Sequence, residues 1–178
     1  MRLLIAAVIG GIAMYVWSAV AHLSPLAMVG IHPMPNEGVV VAALKLNLGD
    51  SRGTYVFPMQ VPGADASKTT AQGLLAYTPN APAGVSPRQL GVEFGLELVE
   101  ALLMAGVAAL AAGGFGRRLG AALLVGLIAA ITTNASYWNW YGFGLDYTLA
   151  SGFIELVKYV VAGLAIAVVL GRKPKPAT

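Results

Sequence analysis

The chain has 178 residues, 57% of them hydrophobic and only 11% charged, with a mean hydropathy of +0.73. A soluble domain carries about a quarter charged residues, so this composition excludes an ordinary soluble globule and indicates an integral membrane protein. The absence of cysteine excludes disulfides, thiolate metal sites and thiol nucleophiles; the net charge of +3 does not point to nucleic acid, because the basic residues form no run inside a folded domain.

The first segment, residues 3–23, follows a single Arg2 and is apolar over the length of a spanning helix. Its basic start and the Ala19-Val20-Ala21 pattern also fit a cleaved signal peptide. Ala6/Gly10 and Ala7/Gly11 supply small-residue packing positions, and the segment is taken as the first span.

Residues 24–86 have a different character. Prolines recur from Pro25 to Pro82, and no stretch is apolar and long enough to span. Asn36 as N-cap, Glu37 in a first turn and the stripe Val40, Leu44, Leu48 predict a short helix ending at Gly49. That stripe is expected to lie on the bundle's outer end or on neighbouring strands. Residues 54–59 and 73–78 are β-prone runs that predict a small antiparallel pair. The whole is expected to form a compact α/β cap, since Tyr55, Phe57, Leu74, Leu75 and Tyr77 are residues that fold rather than residues of a linker.

Ser86 as cap, Pro87 at the first helical position and Gln89 completing a capping box predict the start of the second span, residues 88–113. It carries Glu93, Glu97 and Glu100. At about 100° per residue these acids fall within roughly a 60° arc, with Gly91 and Gly95 opposite, suited to close helix contact. A charge at mid-membrane costs about 2.5–3.5 kcal/mol even on the lenient insertion scale, so three acids on one face must meet protein, water or a cation, or take up protons.

Gly113 to Arg118 reads as a tight basic turn. The third span is residues 119–137, with Thr132, Thr133 and Asn134 as its polar end; residues 138–147 read as an outer aromatic loop; the fourth span is residues 148–170, with Glu155, Lys158 and Tyr159 on one face; residues 171–178 form a basic tail. Arg2, Arg117-Arg118 and the tail lie on one side, which the positive-inside rule makes cytoplasmic for both termini. The expected architecture is therefore an all-α membrane protein, a four-transmembrane-helix bundle with a small periplasmic α/β cap between helices 1 and 2.

Pro35-Asn36-Glu37 leading into Val41-Ala42-Ala43-Leu44, then Gly53-Thr54-Tyr55-Val56-Phe57-Pro58 and Tyr137-Trp138-Asn139-Trp140-Tyr141-Gly142-Phe143, resemble a group of small bacterial four-span inner-membrane proteins of unassigned function. The resemblance implies the architecture and a place in the bacterial inner membrane. The layout is also similar to claudin-like proteins, but there is no cysteine pair and no Gly-Leu-Trp motif, so junction-forming behaviour is not carried over.

The candidate site gathers in the outer half of the bundle. At 1.5 Å per residue, Glu93, Glu97 and Glu100 lie roughly 6, 12 and 17 Å in along their helix, and Glu155 and Lys158 roughly 10 and 15 Å along theirs. His22 and Asn134 sit near the outer ends of the first and third spans. Four acids face one strong base, Lys158, so a Lys158–Glu100 pair, with Glu97 as alternative partner, satisfies one acid and leaves the rest to water, protons or a cation. Aromatic residues around Trp138 and Trp140 fit an interfacial belt better than a stacking site. The expected function is a binding or accessory membrane protein with an outward-facing acidic pocket formed by Glu93, Glu97, Glu100, Glu155, Lys158, His22 and Asn134. One alternative is a small oligomeric proton- or cation-coupled transporter or channel subunit; another is a membrane enzyme with a His/Glu metal site. No cofactor or metal is identified. Expected partners are the lipid bilayer and a homo-oligomer or larger membrane complex, not nucleic acid.

Overall fold

The computed structural model describes residues 1–59, 62–65, 67–68, 70–82, 84–111 and 113–171; the basic tail at 172–178 lies outside them. Three helices are long and apolar enough to cross a membrane: α1 (Arg2–Leu23), the continuous segment from Phe115 to Tyr141, and α6 (Leu145–Gly171). A fourth, α3 (Pro87–Leu110), is as long as they are but carries Arg88 and the three glutamates. The chain is thus a membrane protein with three candidate spanning helices and one long polar-faced helix packed among them.

α3 starts as its sequence dictates. The Ser86 hydroxyl accepts from the Gln89 amide, the Gln89 side chain accepts from Ser86, and Pro87 occupies the first turn. The segment from Phe115 is built differently from its expected outline. α4 (Phe115–Ala130) begins at the residue read as part of the basic turn, so Arg117 and Arg118 are helical. A π-helical turn at Ile131–Ala135 then leads directly into α5 (Ser136–Tyr141). Trp138 to Tyr141, read as loop, are helical, and the connection to α6 shrinks to Gly142–Gly144. The polar run that read as a helix end does not end it. Thr132 and Thr133 donate back to carbonyls at Ile128 and Ala129, and Asn134 to Ala130 at 3.0 Å, so these groups are satisfied inside the helix.

α1 lies between α3 and α6, and α6 in turn between α1 and α4; α3 approaches α4 and α6 over shorter stretches. The core is mostly alanine, filled out by three larger side chains: Ala6, Ala7 and Met14 of α1, Ala101, Met104, Ala105 and Ala108 of α3, Ala122 of α4, and Ala162 and Ile166 of α6. Without a hydrophobic driving force in lipid, such backbones associate by close approach. A Cβ at Gly11 would stand 3.1 Å from the Leu98 backbone, and one at Gly163 would collide with Ala122. Gly91 and Gly95 behave otherwise. Both have open space beside them, so the close helix contact expected at that pair is not made among the described residues.

At the end where α1 stops and α3 begins lies the cap: α2 (Glu37–Leu48) and the strands β1 (Gly53–Phe57) and β2 (Gly73–Tyr77), paired antiparallel with Tyr55 opposite Leu75. The Tyr77 hydroxyl donates to the Gly49 carbonyl at 3.1 Å and ties the hairpin to the end of α2. Asn36 is the N-cap residue as expected, but it stands in the left-handed region (φ 52°) and its side chain makes no capping bond. Val40, Leu44 and Leu48 are half-buried while Val39 and Leu46 are exposed. Among the described residues α2 makes no extended packing with another element, so the expected seating of that stripe on the bundle is not seen.

Candidate functional site

Among the described residues two polar side chains are buried in the bundle, Glu97 and Lys158, and both come from the expected set. Glu97 is completely buried on α3. Its Oε1 accepts from the Ser18 hydroxyl of α1 at 2.5 Å, and its Oε2 has no hydrogen-bond partner among the described residues. A buried carboxylate oxygen left unpaired is expensive. Ser18 escaped the sequence reading because a single hydroxyl on an apolar helix normally satisfies itself on its own backbone.

Lys158, 7% exposed, bridges two helices' worth of acid. Its Nζ lies 3.0 Å from Glu100 Oε2 on α3 and 3.1 Å from Glu155 Oε1 one turn earlier on α6. The expected Lys158–Glu100 pair is therefore formed, and Glu155 joins it. Tyr159, next on the same helix, donates to Glu100 Oε2 at 3.3 Å. Lys158 and Glu100 each stand 13 residues into their helices, roughly 20 Å from the helix start, which explains why they meet. Both carboxylates remain partly open, with the Glu100 side chain 34% and that of Glu155 26% exposed.

Glu93 and His22 are placed one step further out. A cavity of about 360 Å³ lies between the last turns of α1 and the first turns of α3, where Tyr15, Ser18 and His22 face Gln89, Leu90 and Glu93. Tyr15 is held by an edge-on contact with Phe94, ring centroids 5.2 Å apart. His22 Nδ1 stands 2.8 Å from the Ser18 carbonyl. A carbonyl can only accept, so Nδ1 carries a proton. Ser18 is the shared wall: its hydroxyl faces Glu97, and its residue lines the cavity.

No family model, no curated protein and no solved structure matches the chain. The site therefore rests on its own geometry. Six of the seven expected residues fall into two adjoining groups, Glu93 and His22 at the cavity and Glu97, Glu100, Glu155 and Lys158 beneath it. Asn134 is not drawn into either by a hydrogen bond; its amide donates to Ala130 and Thr133 of its own helix. Among the described residues no three His, Asp or Glu side chains are grouped as a metal ion requires. A further tie across the bundle, from Trp17 Nε1 of α1 to the Ile154 carbonyl of α6 at 2.9 Å, fixes the α1–α6 register beside the acids and was not anticipated.

Proposed function

We propose that this chain is a bacterial inner-membrane binding or accessory protein whose four long helices all cross the bilayer, with an acidic pocket open to the periplasm. The fourth crossing, α3, supports this reading by its 24-residue length and by turning Glu97 into the bundle, away from lipid. The orientation, with both termini cytoplasmic, rests on Arg2 and Arg117-Arg118 gathering at one end and the cap at the other. The observation that carries the function is Glu97: a fully buried acid with one oxygen unpartnered, separated only by Ser18 from a cavity at the outer end. Such a polar residue within a membrane bundle is by default a site rather than a strut.

The absence of cysteine makes a clean test available. In oriented vesicles, Ala19→Cys on the cavity wall should react with an impermeant maleimide added to the outside, while Ala108→Cys in the core should not react from either side. Labelling of Ala19→Cys from the cytoplasmic face alone overturns the orientation, and no labelling at all overturns the open pocket.

A second reading has an observation of its own. Glu100 and Glu155 stay partly open deep along their helices, as acids of a proton- or cation-coupled oligomer would when neighbouring copies complete the path. Proton flux into liposomes containing the purified chain, lost in Glu100→Gln, supports that reading; absence of flux removes it.

A further inference from the structure

The cavity between α1 and α3 has walls that select one kind of head group. Resting on the binding reading above, we propose that it receives the ammonium head of an amphiphile whose apolar chain leaves between the two helices toward lipid. The polar residues lining the cavity include one acid, Glu93, with Tyr15 and His22 beside it. Among the described residues no Lys or Arg lines it, so no fixed positive charge there answers a phosphate or carboxylate head. Glu93 makes no ion pair or hydrogen bond of its own among the described residues, which leaves its charge for a ligand.

The remaining wall is apolar. Ala19, Val85 and Leu90 are all exposed, lining the mouth with surface suited to a hydrocarbon chain. Glu93 lies six residues into α3, roughly 9 Å from its start. A bare calcium or magnesium ion fits poorly. It needs about six or more oxygens closing around a small sphere, whereas this space is about 360 Å³ and holds one carboxylate on its wall. A bulky organic cation fills such a volume and is neutralised by one acid.

The test uses the full chain in uncharged maltoside micelles, with dodecylamine as the cationic probe and 1-dodecanol as the uncharged probe of equal length. Dodecylamine should bind at least about tenfold more tightly than dodecanol, and Glu93→Gln should remove that difference. Glu93 is exposed and unpartnered, so Glu93→Gln should unfold at the same temperature as the parent chain without ligand. Ala19→Trp, which fills the cavity, should abolish binding of both probes. If phosphatidylethanolamine competes with dodecylamine, the ammonium head is supplied by a lipid; if it does not, a free amine is the ligand, and either result sustains the proposal. Equal binding of both probes, lost together in Ala19→Trp, overturns the choice of a cation and leaves the binding cavity standing. Binding of neither probe, or binding indifferent to Ala19→Trp, overturns the cavity reading as well.

Discussion

At the scale of single residues, the acids are distinguished by who answers them. Lys158 answers two, Glu100 and Glu155, at nearly equal distances, so it is the hinge of the charge arrangement. Removing one member of a buried ionic group leaves uncompensated charge, at a cost of about 3–5 kcal/mol. Lys158→Met should therefore lower thermal stability in detergent strongly. Lys158→Met with Glu100→Gln should recover only part of the loss, because Glu155 still lacks its cation, and the triple variant with Glu155→Gln should recover most of it. Additive losses across this series would mean that the three side chains do not interact. The hydrogen-bond partner of Glu97 among the described residues is Ser18. Ser18→Ala leaves a buried carboxylate with no partner, so the unfolding midpoint should fall by the equivalent of about 1–3 kcal/mol. Replacing Glu97 by Leu in the same chain should return most of that stability, since an apolar pair needs no partner. A neutral Ser18→Ala would show that the hydroxyl contact carries nothing.

At the scale of elements, the helices differ in which faces are already used. The α4–α6 and α1–α3 approaches depend on missing side chains: Gly163→Leu should clash with Ala122 and Gly11→Leu with the Leu98 backbone, each costing about 1–3 kcal/mol or more in a detergent melt. The outward face of α3 is the contrast. Gly91 and Gly95 have open space, so Gly91→Leu and Gly95→Leu should change the stability of the single chain by less than about 0.5 kcal/mol. A large loss there, accompanied by a change in sedimentation, would show that a second helix normally covers this face. The segment from Phe115 to Tyr141 shows how side chains can continue a helix through residues that usually close one. Its threonines and Asn134 occupy their own carbonyls, and the π-helical turn absorbs the register change before the aromatic end.

At the scale of the whole molecule, the cap and the cavity lie together at one end and the Arg2 and Arg118 side chains at the other, where Arg2 donates to the Val169 and Leu170 carbonyls at the close of α6. If that basic end is cytoplasmic, Lys68→Cys in the cap should react with an impermeant thiol reagent from outside only; reaction from the cytoplasmic side alone would invert the topology. Membrane character, the long apolar helices, the hairpin register region and the Ser86 start of α3 were all legible in the residues, because hydropathy, turn chemistry and capping act over a few neighbours in the chain. Depth along the helices was legible too, since a fixed rise per residue places Lys158 level with Glu100 before any packing is known. What only the tertiary structure decided was which polar groups face each other across helices. Ser18 against Glu97, Trp17 against the Ile154 carbonyl, and the third partner Glu155 depend on helix rotation and neighbour order, and these follow from how the alanines and glycines of α1, α3 and α6 interlock rather than from any local pattern.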